Sequence, residues 1–89
     1  MTLKSKSVDI YELIDIKEGV AENGKDWKLA VLKNDKSYVN LFVAPEFFEN
    51  VKSFKNEKVY IVTKYVNNYY KQTGKIYTNF QLAGLELAY

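Results

Sequence analysis

"YVNLFVAPEFFENVKSFKNEKVYIV", residues 38–62, holds a strand, a helix begun by proline and a second strand, with little chain left over for loops. In "YVNLFV" the apolar Val39, Leu41 and Val43 alternate with Tyr38, Asn40 and Phe42, the period of two that a half-buried strand requires. Pro45, the only proline, ends the ladder because it has no N–H to donate, and it suits the first turn of a helix, where that N–H would be unpaired anyway. Phe47, Phe48, Val51 and Phe54 then recur at helical spacing. Glu46 lies near the positive end of the helix dipole, and Lys52 and Lys55 near the negative end. "KVYIVTKYV" resumes the strand pattern, with Val59, Ile61 and Thr63 opposed to Tyr60, Val62 and Lys64 and either set able to face inward.

Upstream, two further strands fit. In "VDIYELIDIKEGV" Val8, Ile10, Ile14 and Ile16 share a parity, so a first strand is expected there, bent or bulged around Glu12. "ENGK" at 22–25 is a hairpin turn, since Asn-Gly supplies positive φ. In the second strand, "DWKLAVLK", Trp27, Leu29 and Val31 alternate with Lys28, Ala30 and Leu32, and "KNDKS" turns the chain into the third. Downstream, "NNYYKQTGK" reads as a loop or hairpin tip and "IYTNFQLAGLEL" as a strand bent near Gly84. The first seven residues are polar and expected to fray.

Three strands, a short helix and two strands make an all-β chain. This is the order of a five-stranded OB barrel, with one short helix between strands 3 and 4 and a single domain over residues 8–89. An SH3-like barrel or an open α+β sheet has a compatible order. The chain has 89 residues, enough for one core that buries about 60 to 70% of the unfolded surface.

It contains neither cysteine nor histidine, which removes disulfides, thiolate nucleophiles, the usual zinc ligands and the commonest general base. The acids are dispersed along the first strand, the loops and the helix, so no catalytic group, metal or cofactor is expected. The longest apolar runs, such as "LAVL" at 29–32, are too short for a membrane span or a signal-peptide core, and a soluble cytoplasmic protein is expected.

Net charge is +2, but its placement is uneven. Residues 1–24 hold three lysines against five acids, whereas residues 58–75 hold Lys58, Lys64, Lys71 and Lys75 against none. Every basic residue is lysine; without arginine, base-specific readout is disfavoured. The acid-free segment is also the richest in tyrosine. If Val39, Leu41 and Val43 face inward, Tyr38 and Phe42 face water, and Tyr69, Tyr70 and Lys71 fall at the loop beyond the fourth strand.

Outward rings flanked by ammonium groups suit unpaired nucleic acid, because bases stack on aromatic rings for about 1 to 3 kcal/mol each while lysines neutralise phosphates. Trp27, Tyr38, Phe42, Tyr69, Tyr70 and Tyr77 are the candidate stacking residues, and Lys28, Lys36, Lys64, Lys71 and Lys75 the candidate phosphate contacts. Trp27 could equally cap the core, and tyrosine is also at home in half-buried strands. Three to five phosphate contacts would give a log–log salt slope of about −2 to −4.

The stretch "KVYIVTKYVNNYYKQTGKIYTNFQLAGLEL", residues 58–87, resembles the single-stranded DNA-binding proteins of bacteria and phages, which lead a strand into a basic, aromatic loop with a glycine turn and a returning strand. The resemblance places Tyr70 on a base-stacking aromatic and Tyr77-Thr78 on the family's tyrosine–threonine pair. More loosely, "YVNLFV" is similar to the family's third strand, with Phe42 on a DNA-stacking phenylalanine. It implies an OB barrel that coats single-stranded DNA in replication or recombination, acting as a homodimer or larger homo-oligomer.

Val62-Thr63 stands where the family has a glycine-containing pair, and "LELAY" stands where bacterial members continue into an acidic tail, so recruitment through such a tail is not expected. The size and the "NGKDW" hairpin are similar to the short helix-destabilising proteins of filamentous phages, and a phage or mobile-element origin is expected. A barrel that binds protein, as a phage inhibitor or an assembly subunit, and an RNA-binding barrel of the cold-shock kind are the other readings of the same surface.

Overall fold

The computed structural model describes residues 4–88, except for the side chains of residues 68–70, 77 and 78. Six strands form one mainly antiparallel sheet: β1 (Lys4–Lys6), β2 (Tyr11–Val20), β3 (Asp26–Lys33), β4 (Tyr38–Phe42), β5 (Lys58–Tyr70) and β6 (Lys75–Leu87). The only α-helical turn among the described residues, α1 (Phe48–Val51), lies between β4 and β5 and is flanked by 3-10 turns at Pro45–Phe47 and Lys52–Phe54. The helical connection is thus where the spacing of Phe47, Phe48, Val51 and Phe54 put it, wound more tightly at both ends. Phe47 and Val51 are buried, and the Phe47 and Phe54 rings lie 6.1 Å apart.

The expected count of five strands becomes six because part of the N-terminal segment expected to fray forms a strand, β1, set off from β2 by a bend at Ser7. Ser7 keeps one backbone bond and replaces the other with its side chain: its N–H donates to the Ile61 carbonyl (2.7 Å), and its hydroxyl accepts the Ile61 N–H (2.9 Å). The same hydroxyl donates to the Asp9 carbonyl (2.9 Å), which bends the chain and leaves Val8 93% exposed. Before the bend, Lys4–Lys6, expected to fray, pair with Lys64, Thr63 and Val62 of β5.

After the bend, a β-bulge decides which side chains enter the core. Leu13 pairs with Leu32 and Asp15 with Val31, leaving Ile14 as the extra residue. One added residue flips the alternation, so Leu13 before the bulge and Ile16 after it face the same side. The inward set is therefore Leu13 and Ile16 rather than Val8, Ile10, Ile14 and Ile16; Ile10 is exposed. A second bulge sits in β6 between Leu82 and Gly84, where Val62 pairs with Gly84 and Thr63 with Leu82, the bend expected near Gly84.

The hydrogen-bonded order is β4–β3–β2–β5–β6, with β1 lying beyond β2 on the same edge of β5. The sheet is not closed by a ladder. Its two ends, β4 and β6, meet at one parallel bridge, Val43 to Leu82, reinforced by the Ala44 N–H donating to the Leu82 carbonyl (2.8 Å). Inward residues of every strand from β2 to β6 and of the helical connection share one core, including Leu13, Ala30, Leu32, Val43, Val51, Val59, Ile61, Leu82 and Leu85. In β5 the undecided parity resolves with Val59 and Ile61 inside.

The thirteen-residue strands β5 and β6 outrun this core as a two-stranded ribbon. At about 3.3 Å per residue such a strand spans about 43 Å, which accounts for the 45 Å long axis of a molecule otherwise about 25 Å across. Gly74, at φ +67°, lets the chain reverse within Lys71–Gly74, so Tyr69 and Tyr70 belong to β5, not to a loop. Tyrosine has high strand propensity and the ladder satisfies its backbone, which is why the strands run to the very turn.

Candidate nucleic-acid interface

The outer face of β3 and β4 carries the aromatic surface. Ala30 and Leu32 are fully buried, so the opposite parity of β3, Trp27, Leu29, Val31 and Lys33, faces away from the core. On β4, Val39, Leu41 and Val43 face in and Tyr38, Asn40 and Phe42 face out, with Tyr38 64% and Phe42 54% exposed. The register sets Leu29 beside Phe42, Val31 beside Asn40 and Lys33 beside Tyr38.

Two aromatic groupings result. At one end Trp27 meets Phe42 edge to face, ring centroids 6.1 Å apart and planes at 86°. At the other, the Lys33 ammonium sits 5.8 Å from the Tyr38 ring centre. Lys33 was missed by the sequence reading. The signal was present in "KNDKS": a tight turn over residues 34–37, which the Asn34 N–H closes by donating to the Ser37 carbonyl, makes the flanking Lys33 and Tyr38 cross-strand neighbours. Trp27 is thus half-buried on the outer face and does not cap the core.

The lysines divide into two groups. Lys36 is exposed in the turn that Asn34 builds by accepting the Lys36 and Ser37 N–H groups on its side-chain oxygen (2.9 Å each). Lys71 and Lys75 are exposed at the ribbon tip, and no ion pair engages Lys36, Lys71 or Lys75 among the described residues. Lys28 and Lys64 are engaged. Lys28 has the inward parity of β3 at the helical end, where its ammonium binds Glu18 and lies 5.7 Å from the Phe48 ring centre, while Lys52 reaches the same carboxylate at 3.8 Å. Lys64 binds Glu46 at the start of the helical connection.

These pairs shift their carboxylates. The hydrogen bond and then the charge of Lys28, followed by the charge of Lys52, hold Glu18 below the ordinary carboxyl value of 4.5. Glu46 is lowered in the same way, first by the Lys64 hydrogen bond and then by a backbone N–H. A depressed carboxyl pKa stabilises the fold above the ordinary value, and that contribution disappears as pH falls through the lowered one. Glu46→Gln should therefore be slightly less stable than the unaltered chain at pH 7. Urea titrations should show the gap close below pH 4.5; a gap constant down to strongly acid pH would mean that the Lys64 pair is not its cause.

The backbones of Tyr69, Tyr70 and Tyr77 stand opposite Ile76, Lys75 and Asn68 in the ribbon; their side chains lie outside the described residues. The ribbon adds a pair that the sequence reading did not nominate, Tyr65 with Phe80, rings 4.4 Å apart and each about half exposed (47% and 53%). Once the turn is confined to Lys71–Gly74, the two fall directly opposite each other. Among the described residues no three His, Cys, Asp or Glu side chains converge as metal ligands, and no helix is long and apolar enough to cross a membrane.

No protein-family model, curated protein or solved structure matches the chain. The likeness to single-stranded DNA-binding proteins therefore stands on the quoted residues, and functional argument on the geometry.

Proposed function

We propose that the chain is a non-enzymatic, non-sequence-specific binder of single-stranded DNA, built on an OB barrel. The observation that carries this reading is the outward Trp27–Phe42 pair on β3 and β4, continued along the same face by Tyr38 and Lys33. In a five-stranded OB barrel the second and third strands and the loop between the last two strands form the oligonucleotide surface. Here those parts are β3, β4 and the lysine-tipped ribbon.

Two features support the barrel. The order β4–β3–β2–β5–β6 with a parallel contact between its ends matches the connectivity expected of an OB barrel, with β1 an addition beside β2 on the same edge of β5. The helical connection packs Phe47 and Val51 under the sheet between the third and fourth strands of that scheme. Coating of exposed strands in replication or recombination, in the cytoplasm of a host or under phage control, is the role that fits stacking without base readout.

With Lys28 and Lys64 paired to carboxylates, the phosphate contacts reduce to Lys36, Lys71 and Lys75, assisted by Lys33. Three contacts on a single strand give a log–log salt slope of about −2, the shallow end of the expected range. Titrating oligo-dT between low and moderate salt, read by Trp27 fluorescence, tests this. Quenching with that slope supports the reading, and silence at low salt removes it. A matched oligo-U titration separates DNA from RNA preference.

A second reading rests on the ribbon. Tyr65 continues the parity of Val59 and Ile61, so with Phe80 and the 66% exposed Ile76 it extends the apolar face of the core into solvent. A surface of this kind suits a protein partner, including another copy, and paired barrels would gain affinity for one long strand through multivalency. Light scattering should give a mass of at least two chains, reduced toward one by Phe80→Ser; a monomer at all concentrations would remove the self-association.

A further inference from the structure

We propose that Gly19 is a positioning residue for the Trp27 indole, and that a bare backbone at this position is what holds the ring in its stacking pose. Gly19 is the direct cross-strand partner of Trp27. A methyl group built on its Cα would stand 2.6 Å from Trp27 Cζ2, 2.9 Å from Cε2 and 3.1 Å from Nε1, so the indole occupies the space that a side chain at Gly19 would need. The two glycines with positive φ are Gly24 and Gly74. Gly19 has ordinary backbone geometry that any residue could adopt, and only the indole excludes a side chain there. The ring thus has the Gly19 backbone and the Phe42 ring, nearly perpendicular to it, as neighbours.

Had Gly19 no such duty, alanine would serve better, since glycine inside a strand weakens it and offers nothing to pack. The sign of the Gly19→Ala effect is therefore diagnostic. A groove of about 360 Å³ lined by Gly19, Trp27, Lys28 and Phe48, among others, borders the indole, so a displaced ring has room to turn while the strands stay paired. The variant is expected to fold with its platform disordered.

This inference rests on the reading of Trp27 as a stacking residue, and the experiment separates the two. Gly19→Ala should change the near-ultraviolet circular dichroism of the lone tryptophan and weaken oligo-dT binding about five- to tenfold, a partial loss of one stacked base. Introduced into a Trp27→Ala chain, the same substitution should cost no further affinity and should raise the thermal midpoint, because the clash is gone. An unchanged tryptophan signal, or equal losses of affinity in both backgrounds, overturns the proposal. If the unaltered chain does not bind oligo-dT at all, the nucleic-acid reading falls, while the tryptophan signal and the background dependence of the thermal midpoint still decide the seat.

Discussion

Phe42→Ala is expected to weaken oligo-dT binding about thirtyfold, while lowering the thermal midpoint by about 2 to 12 °C. Removing one stacked ring costs about 2 kcal/mol of binding, the middle of the range for base–aromatic contacts, and that energy corresponds to about a thirtyfold change in Kd. Phe42 is more than half exposed, so its truncation leaves no cavity in the core; the edge contact with Trp27, worth about 0.5 to 1.5 kcal/mol, is the main loss to stability. Trp27→Ala should weaken binding comparably, and the double variant by less than the sum, because each ring holds the other in place. Anisotropy of a labelled oligonucleotide measures all three chains, including those without tryptophan. Leu87→Ala, at another exposed apolar residue, paired with Val59 on β5, is the control and should bind normally. A Phe42→Ala chain with unaltered affinity would show that the β3–β4 face is not where the strand lies.

What the sequence disclosed about this surface depended on whether the deciding contact was local. In β4 the alternation of Tyr38, Asn40 and Phe42 with Val39, Leu41 and Val43 is uninterrupted and bounded by a turn and a proline, so both faces could be read directly. In β2 the same rule pointed to the wrong residues. A bulge at Ile14 exists only because β3 pairs across it, and nothing in "YELIDI" marks the place where the alternation reverses. The N-terminal segment expected to fray is instead held through the bonds of Ser7 to Ile61, a residue fifty-four positions away.

The ribbon was obscured for a different reason. Asn and Gly around Tyr69 and Tyr70 resemble a loop, yet the turn needs only Lys71–Gly74, and extending the ladder inward from it brings Tyr65 onto Phe80. Charge was the least legible feature. Counting lysines located the acid-free segment, but not the reach of Glu46 across to Lys64 or of Glu18 to Lys28, which takes two nominated cations out of ready contact with phosphate. Gly19 shows the reverse case. A glycine in a strand is visible to any reader, whereas its reason appears only when the indole opposite is seen occupying the space that a side chain would need.

Leu82→Ala is expected to have the opposite signature to Phe42→Ala: a large loss of stability with affinity kept. Leu82 is fully buried in β6, opposite Thr63, and its carbonyl accepts the Ala44 N–H at the single point where β4 and β6 meet. Its side chain belongs to the cluster of Val43, Phe47, Val51 and Val59, which joins both ends of the sheet to the helical connection. Leucine-to-alanine changes in such surroundings cost about 2.7 to 5 kcal/mol, because the cavity collapses only in part. For a domain of this size each kcal/mol lowers the midpoint by about 4 to 8 °C, so a fall of about 11 to 40 °C is expected from calorimetry. The hydrogen bond from Ala44 is made by backbone atoms and survives the substitution, so in the cold β4 keeps its place. Phe42 continues to face water there, and oligo-dT affinity should stay within about threefold of normal, as for sites that do not share a contact. A loss below about 1 kcal/mol, the level of an ordinary surface change, would mean that the β4–β6 approach is superficial. The proposed OB barrel, with the binding face inferred from it, would then have to be abandoned.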